Sequence, residues 1–340
     1  MEKQDDTRRT FLQSTLAAGA ALSLATDTEA ASKTGLPMRQ LGKTGEKVSI
    51  ICLGGWHIGD VKDEKEAIKI MHTALDEGMN FFDNAWDYHD GGSEEIMGKA
   101  LAMNGYRKKC FLMTKNCARD AKGTRKHLEQ SLKRLKTDVI DLWQFHEINY
   151  DNDPDWIVER GALAEALKAK KAGKIRYIGY TGHKSPHIHL KMLPKHTWDT
   201  VQMPINVCDW HYRSFIHEVV PAANKKGIGV IGMKSLGGGA QYKGRLVVEK
   251  VCTPQEARWF SLSMPISSLV VGIDSMKVLK QDLDIARKFK PMSEEDIKKL
   301  LQRVKPVAGD GRHERFKSTQ VFDGPYHRKQ HELTEEDVKD

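Results

Sequence analysis

Eight short apolar runs at a nearly regular interval constrain this chain more than any other feature. They begin near Val48 (VSIICLG), Met79 (MNFFDNA), Cys110 (CFLMTK), Asp141 (DLWQFH), Ile175 (IRYIGYTG), Thr200 (TVQMPIN), Ile228 (IGVIGMKS) and Ser267 (SSLVVGI). The runs are continuous rather than alternating, the pattern of strands covered on both faces of a parallel sheet. Between them apolar residues recur at helical spacing, as in Ala67, Ile68, Met71, Ala74 and Leu75, or Leu128, Leu132 and Leu135. The stretches ALDEGMNFFD, AKKAGKIRYIG and ANKKGIGVIG pass from helix to strand through Gly78, Gly173 and Gly227. Glycine takes a left-handed helix cap with the least strain.

Strand–helix units repeated at roughly 30 residues predict an α/β fold, a closed (β/α)8 TIM barrel of about 250 residues. An open doubly wound sheet would want a GxGxxG turn after its first strand, and LGGWHIG at 53–59 has a different spacing. Ahead of the barrel, MRQLGKTGEKVSIICLG reads as an N-terminal β-hairpin turning at Lys43 to Glu46. Behind it, MSEEDIKKLLQRV reads as a C-terminal helix with Ser293 as N-cap, followed by a polar, irregular tail. The expected organisation is a barrel over residues 38–290 and a helix and tail over 291–340 packing on or near it.

Residues 1–31 are a different kind of text. Arg8 and Arg9 precede a moderately apolar segment from Ser14 to Ala25, and Ala30 and Ala31 offer a cleavage point. This resembles a twin-arginine signal peptide, which implies the Tat translocation machinery as a partner and a periplasmic or other extracytoplasmic location. No other segment has the run of about 18 apolar residues that a membrane span requires. The formal charge is +8, but Lys and Arg are interspersed with Asp and Glu, without a basic block interleaved with aromatics, so nucleic acid is not an expected partner. The five cysteines show no paired spacing for disulfides or a cluster, and most lie within or beside apolar runs.

A barrel enzyme works at the C-terminal ends of its strands, so the polar residue that ends each run is informative. The second to fourth runs end on Asp83, Lys115 and His146; the fifth ends on Thr181; the sixth carries Gln202 and ends on Asn206; the last two end on Lys234-Ser235 and Gly272. An acid and a lysine in one barrel mouth make a tolerable pair where either alone would be costly. Tyr88 lies five residues past Asp83, and a nearby lysine is expected to lower its pKa. A tyrosine shifted in this way suits general acid or base work, with His146 orienting a carbonyl oxygen. Asp87, Asp90 and Glu94 share the opening loop, where Asp90-Gly91-Gly92 reads as turn chemistry and Ser93-Glu94 as a helix start, and none of them is an expected catalytic group. In HKSPHIHL, His183, His187 and His189 lack a completing carboxylate or cysteine and read as helix surface, so no metal is expected.

From about Met38 to Lys288 the chain resembles the aldo-keto reductase family, on FFDNAWDYHDGGSEEIMGKAL, FLMTK, DLWQFH, VQMPIN, GMKSLGGG and VVGIDSMKVLKQDL. The resemblance implies an NAD(P)(H)-dependent oxidoreductase that reduces an aldehyde, ketone or sugar carbonyl or oxidises the corresponding alcohol. Its catalytic tetrad falls on Asp83, Tyr88, Lys115 and His146. It further implies a nicotinamide site at Gly55, Thr181, Gly182, Gln202 and Met233. Lys234, Ser235, Leu236 and Gly237 would run along the pyrophosphate, and Gly272, Asp274, Gln281 and Asp282 would surround the adenosine end. Trp56, Trp86, His57 and His89 are the expected substrate contacts.

The chain departs from the family pattern in carrying Thr181-Gly182-His183 in place of Ser-Asn, Met233 in place of a stacking tyrosine, and Val278 in place of a phosphate-reading arginine. NADP is the implied cofactor, with Lys277 or Lys280 substituting for that arginine, and NAD remains open. The resemblance also implies a second reading, an exported NADP-binding sensor or auxiliary subunit with little turnover.

Overall fold

The computed structural model describes residues 34–238, 244–318, 324–331 and 333–337. The twin-arginine-like segment, residues 1–31, lies outside the described residues, as does Gly239 of the glycine run. Two short antiparallel strands, β1 (Met38–Gln40) and β2 (Lys47–Ser49), form the hairpin, with Met38 opposite Ser49. Its turn is closed by Leu41 N–H donating to Glu46 O at 2.9 Å.

Eight parallel strands then follow: β3 (Ile51–Gly54), β4 (Phe81–Asp83), β5 (Phe111–Asn116), β6 (Ile140–Phe145), β7 (Ile175–Thr181), β8 (Thr200–Pro204), β9 (Gly229–Met233) and β10 (Ser268–Gly272). Each pairs with its neighbour in sequence, and β10 pairs with β3 to close the barrel. The first barrel strand starts at Ile51, later than the apolar run at Val48, because the beginning of that run belongs to the hairpin. Continuous hydrophobicity conceals this break, which only the change of pairing partner defines.

Side chains alternate along each strand, so residues two apart share a face. Phe81, Phe111, Met113, Leu142 and Ile231 pack together with Cys52, and Leu41 and Val48 of the hairpin join the same cluster. The hairpin thus plugs the N-terminal end of the barrel. Phe82, Leu112, Trp143 and Phe145 belong to the other cluster, beneath the surrounding helices. Stepping two residues on from Phe81, Met113 and Leu142 reaches Asp83, Lys115 and Gln144, so an apolar layer gives way to a polar one toward the C-terminal mouth.

Helix starts follow their caps: Asp63 accepts from Lys65 N–H, Asp120 from Lys122 and Gly123 N–H, and Ser293 from Asp296 N–H. Helix 92–101 approaches helix 121–134 so closely that a Cβ on Gly98 would lie 2.1 Å from Arg134 O.

After helix 294–308 the tail is more ordered than its polarity suggests, with short helices at Arg315–Ser318 and Pro325–Gln330. Lys317 is fully buried, 2.5 Å from Asp209 and 2.9 Å from Glu314, and Asn206 Nδ2 donates to Glu314 at 2.9 Å. Its charges are paired across the barrel mouth instead of solvated, which sequence polarity alone does not distinguish. No helix among the described residues is long and apolar enough to cross a membrane.

Candidate active site

Asp83 and Lys115 end up side by side because β4 and β5 are adjacent and both residues face inward. Lys115 Nζ forms an ion pair with Asp83 and donates to Asn84 O at 2.6 Å. Exposure is 2% for Asp83, 1% for Lys115 and 3% for His146. At that depth the pair neutralises charges that neither residue could carry alone. Burial still raises the Asp83 carboxyl above its ordinary range, against the pull of Lys115.

Tyr88 opens a short 3-10 turn, Tyr88–Gly91, and its ring is only partly covered. The Lys115 ammonium lies 4.9 Å from its ring centroid. The expected lowering of the phenol is not found. Burial, then the charges of Asp83, Asp87 and Glu147, push it well above the usual tyrosine range. Lys115 is already engaged by Asp83 and Asn84, so the carboxylates dominate. Tyr88 therefore holds its proton tightly. His146 follows β6, and its ring stands edge-on to that of Tyr88, with centroids 5.5 Å apart at 72°. Its backbone N–H donates to Asn116 O at 2.8 Å.

Sequence reading passed over Asp87 and Cys117, which complete this site. Asp87 Oδ1 lies 2.9 Å from His146 Nδ1 and 3.2 Å from Cys117 Sγ. Burial pushes the Asp87 carboxyl up, but the attraction and hydrogen bond of His146 outweigh it and hold Asp87 below its ordinary value. Asp87, Cys117 and His146 are the one group among the described residues whose possible metal-ligating atoms converge, within 4.8 Å of one another. The N–H and S–H groups both point to one carboxylate, so hydrogen bonding satisfies the cluster. The only sequence signal for Asp87 was its place directly before Tyr88.

Glu147, at a left-handed φ of 48°, also faces this region, 3.4 Å from His331 and 3.8 Å from His183. His331 Nδ1 lies 2.9 Å from Cys117 O, so the tail forms part of the wall. Nothing in the polar text of the tail marked His331 for this position.

The expected substrate contacts divide. Trp56 stands edge-on to Tyr88 at 5.3 Å, beside the reacting groups. His89 supports Trp56, its ring 4.6 Å away and its Nε2 2.7 Å from Trp56 O. Trp86 is a correction: it stacks on His127 at 3.5 Å and donates to Gln130, facing helix 121–134 and not the barrel mouth. Asn84 likewise turns toward Met97 of helix 92–101. His57 lies against Gly272, where a Cβ would meet its ring at 2.5 Å, on the side assigned to cofactor instead of substrate. The histidines of HKSPHIHL are not all surface, since His183 and His189 are buried and His189 rests on Phe215, whereas His187 is exposed.

The residues assigned to a dinucleotide lie at the ends of β3 and β7 to β10 and in the loops and helix that follow them. Thr181 and Gln202 are partners across β7 and β8, Gly182 N–H donates to Gln202 O at 3.3 Å, and Met233 Sδ lies 3.7 Å from Gln202 Nε2. Gly55 packs on the backbone of Asp83, where a Cβ would lie 2.5 Å from the carbonyl oxygen. Arg258 is ion-paired with Asp282 at 3.2 Å and donates to Ser235. Lys234 sits 5.4 Å from the Phe316 ring centroid; burial lowers its ammonium, with Glu147 opposing.

Gly237 has a φ of 67° and a Cβ there would strike Leu246 at 2.9 Å, so this backbone bend demands glycine. Leu236 O accepts from Leu246 N–H at 3.2 Å, and Gly238 N–H donates to His313 O of the tail at 2.7 Å. Asp274 is exposed and accepts from Ser275 Oγ at 3.2 Å, and Gln281 is exposed on the following helix. Two cations beside a glycine cradle, with amide and hydroxyl groups further in, fit an anionic dinucleotide. The tail contact at Gly238 is an element that the sequence did not foretell.

The family model for the Aldo/keto reductase family matches residues 50–302. An uncharacterized oxidoreductase of Bacillus subtilis is 35% identical over 224 residues, covering 58% of this chain and 66% of that protein. L-Galactose dehydrogenase of Arabidopsis thaliana is 30% identical over 214 residues, covering 60% and 66%. The chain thus spans just under two thirds of the length of these relatives. A solved aldo-keto reductase from Bacillus halodurans, in its holo form, is similar with a TM-score of 0.65 over 79% of this chain and 96% of that one. At 24% identity this is a likeness of fold.

Proposed function

Because this chain belongs to the aldo/keto reductase family, we propose that it is an NAD(P)(H)-dependent oxidoreductase that reduces an aldehyde, ketone or sugar carbonyl, or oxidises the corresponding alcohol. The observation that carries this reading is the convergence at one barrel mouth of the Asp83–Lys115 pair, the ring of Tyr88 beside Lys115, and His146 edge-on to Tyr88. A reduced nicotinamide, when bound, would supply hydride to the carbonyl carbon. Tyr88 supplies the proton to the carbonyl oxygen, which grows more basic as the carbonyl is reduced. Lys115 stabilises the phenolate that remains, and Asp83 holds Lys115 in place. His146 directs a ring nitrogen at the same oxygen. Trp56 walls the approach. Solvent returns a proton to Tyr88, and alcohol oxidation runs the same transfers in reverse.

Thr181, Gly182, Gln202 and Met233 would hold the nicotinamide end, and Lys234, Ser235 and Arg258 the phosphates. The adenosine end would lie near Gly272, Asp274, Gln281 and Asp282. NADP is the expected cofactor, with Lys277 and Lys280 available to a 2′-phosphate. Identification of the nucleotide that copurifies, followed by a carbonyl and sugar panel with either cofactor, tests both identity and activity. Finding no nicotinamide-dependent turnover on any carbonyl would leave the second reading, a binding module with little turnover. The His313 contact on Gly238 favours that alternative, because a tail seated on the cradle slows exchange.

The segment from Arg8 to Ala31 supports export by the twin-arginine pathway in a folded state, with cofactor loaded beforehand and held tightly. Replacing Arg8 and Arg9 with lysine is expected to retain the protein in the cytoplasm. Unchanged export of that variant contradicts the reading.

A further inference from the structure

The pairing of Asp87 with the catalytic histidine extends the proposed reaction, and the inference rests on that reading. We propose that Asp87 is a positioning residue that acts through His146, holding a proton on Nδ1 and so fixing the ring with Nε2 as the nitrogen presented to the substrate oxygen. An ionised carboxylate only accepts, so an imidazole nitrogen 2.9 Å from Asp87 Oδ1 carries a proton. That leaves Nε2 as the nitrogen available to a ligand. The contact with Asp87 thereby fixes both the tautomer and the orientation of the ring.

The surroundings make the arrangement specific. Asp87 immediately precedes Tyr88 in one tight turn, in which Asp90 N–H donates to Asp87 O at 3.1 Å, so the two groups are placed together. His146 is held at the backbone by Asn116 O and by Arg119 Nη2, which donates to His146 O at 2.8 Å. Cys117 gives Asp87 a second donor at 3.2 Å. The titratable and charged groups facing the ring are Asp83 from β4, Asp87 and Tyr88 from the following loop, and Cys117 and Arg119 beyond β5. Glu147 adjoins it in the chain, and His331 of the tail has its ring centroid 6.4 Å away. Asp87 makes the direct contact with Nδ1, at 2.9 Å.

The test is Asp87→Asn in the full chain. Nearly unchanged KM is expected, with kcat for carbonyl reduction falling at least about tenfold. Asp87→Glu is expected to restore part of kcat. Tyr88→Phe is measured beside it. If that variant turns over like wild type, the proposed function fails. If it is inactive while Asp87→Asn keeps the wild-type kcat, the Asp87 inference alone is overturned. Nitrogen-15 histidine NMR on the wild-type protein gives a readout independent of turnover and of variant folding. His146 should carry a proton on Nδ1; a ring carrying its proton only on Nε2 contradicts the proposal.

Discussion

The ion pair of Asp83 and Lys115 shows how much of the site depends on single buried charges. Removing one member strands the other away from water, and such losses amount to about 3–5 kcal/mol. Lys115→Met is therefore expected to lower unfolding stability by about that amount, read from urea denaturation. Combining it with Asp83→Asn should recover part of the loss, since no charge is then left unpaired. A strictly additive double variant contradicts the pairing argument. Asp83, Lys115 and His146 were legible in the sequence because each ends an apolar run, where a barrel strand delivers its side chain to the mouth. Asp87 was not legible. A carboxylate in a loop before a glycine pair reads equally well as turn chemistry, and its partner lies far along the chain. Trp86 misled for the same reason, since sequence proximity to Tyr88 does not reveal that the loop turns it outward onto His127.

Strands and helices were legible through their periodicity and glycine punctuation, whereas the tail was not. Its short helix Arg315–Ser318 is anchored by charge pairing, a pattern that has no sequence period. Burial raises the Glu314 carboxyl to about 7, against the pull of Lys317. An ordinary unfolded glutamate titrates near 4.3, so the docked tail binds the proton more tightly than the free chain. Its contribution to stability is fully present below about pH 4.3 and is lost as pH rises through about 7. Glu314→Gln should flatten this part of the profile, seen as a wild-type-minus-variant difference in urea midpoints between pH 4.5 and 7.5. An unchanged difference across that range removes Glu314 from the account. Because the same segment places His313 on Gly238, loosening the tail also bears on access to the glycine cradle.

The closed barrel gathers residues from separate strands into one mouth while the hairpin seals the opposite end. That architecture was readable from the eight runs, but it does not specify the substrate, which depends on loops and on a tail whose contacts are tertiary. Tyr88 joins fold to chemistry. The most direct test of its role is repeated cofactor oxidation by purified protein across a panel of aldehydes, ketones and sugars, for wild type and Tyr88→Phe, with cofactor binding measured in parallel. The predicted result is sustained turnover by wild type and a loss of about 10²-fold or more in the variant, with binding retained. A phenylalanine variant that reduces carbonyls as fast as wild type contradicts the account.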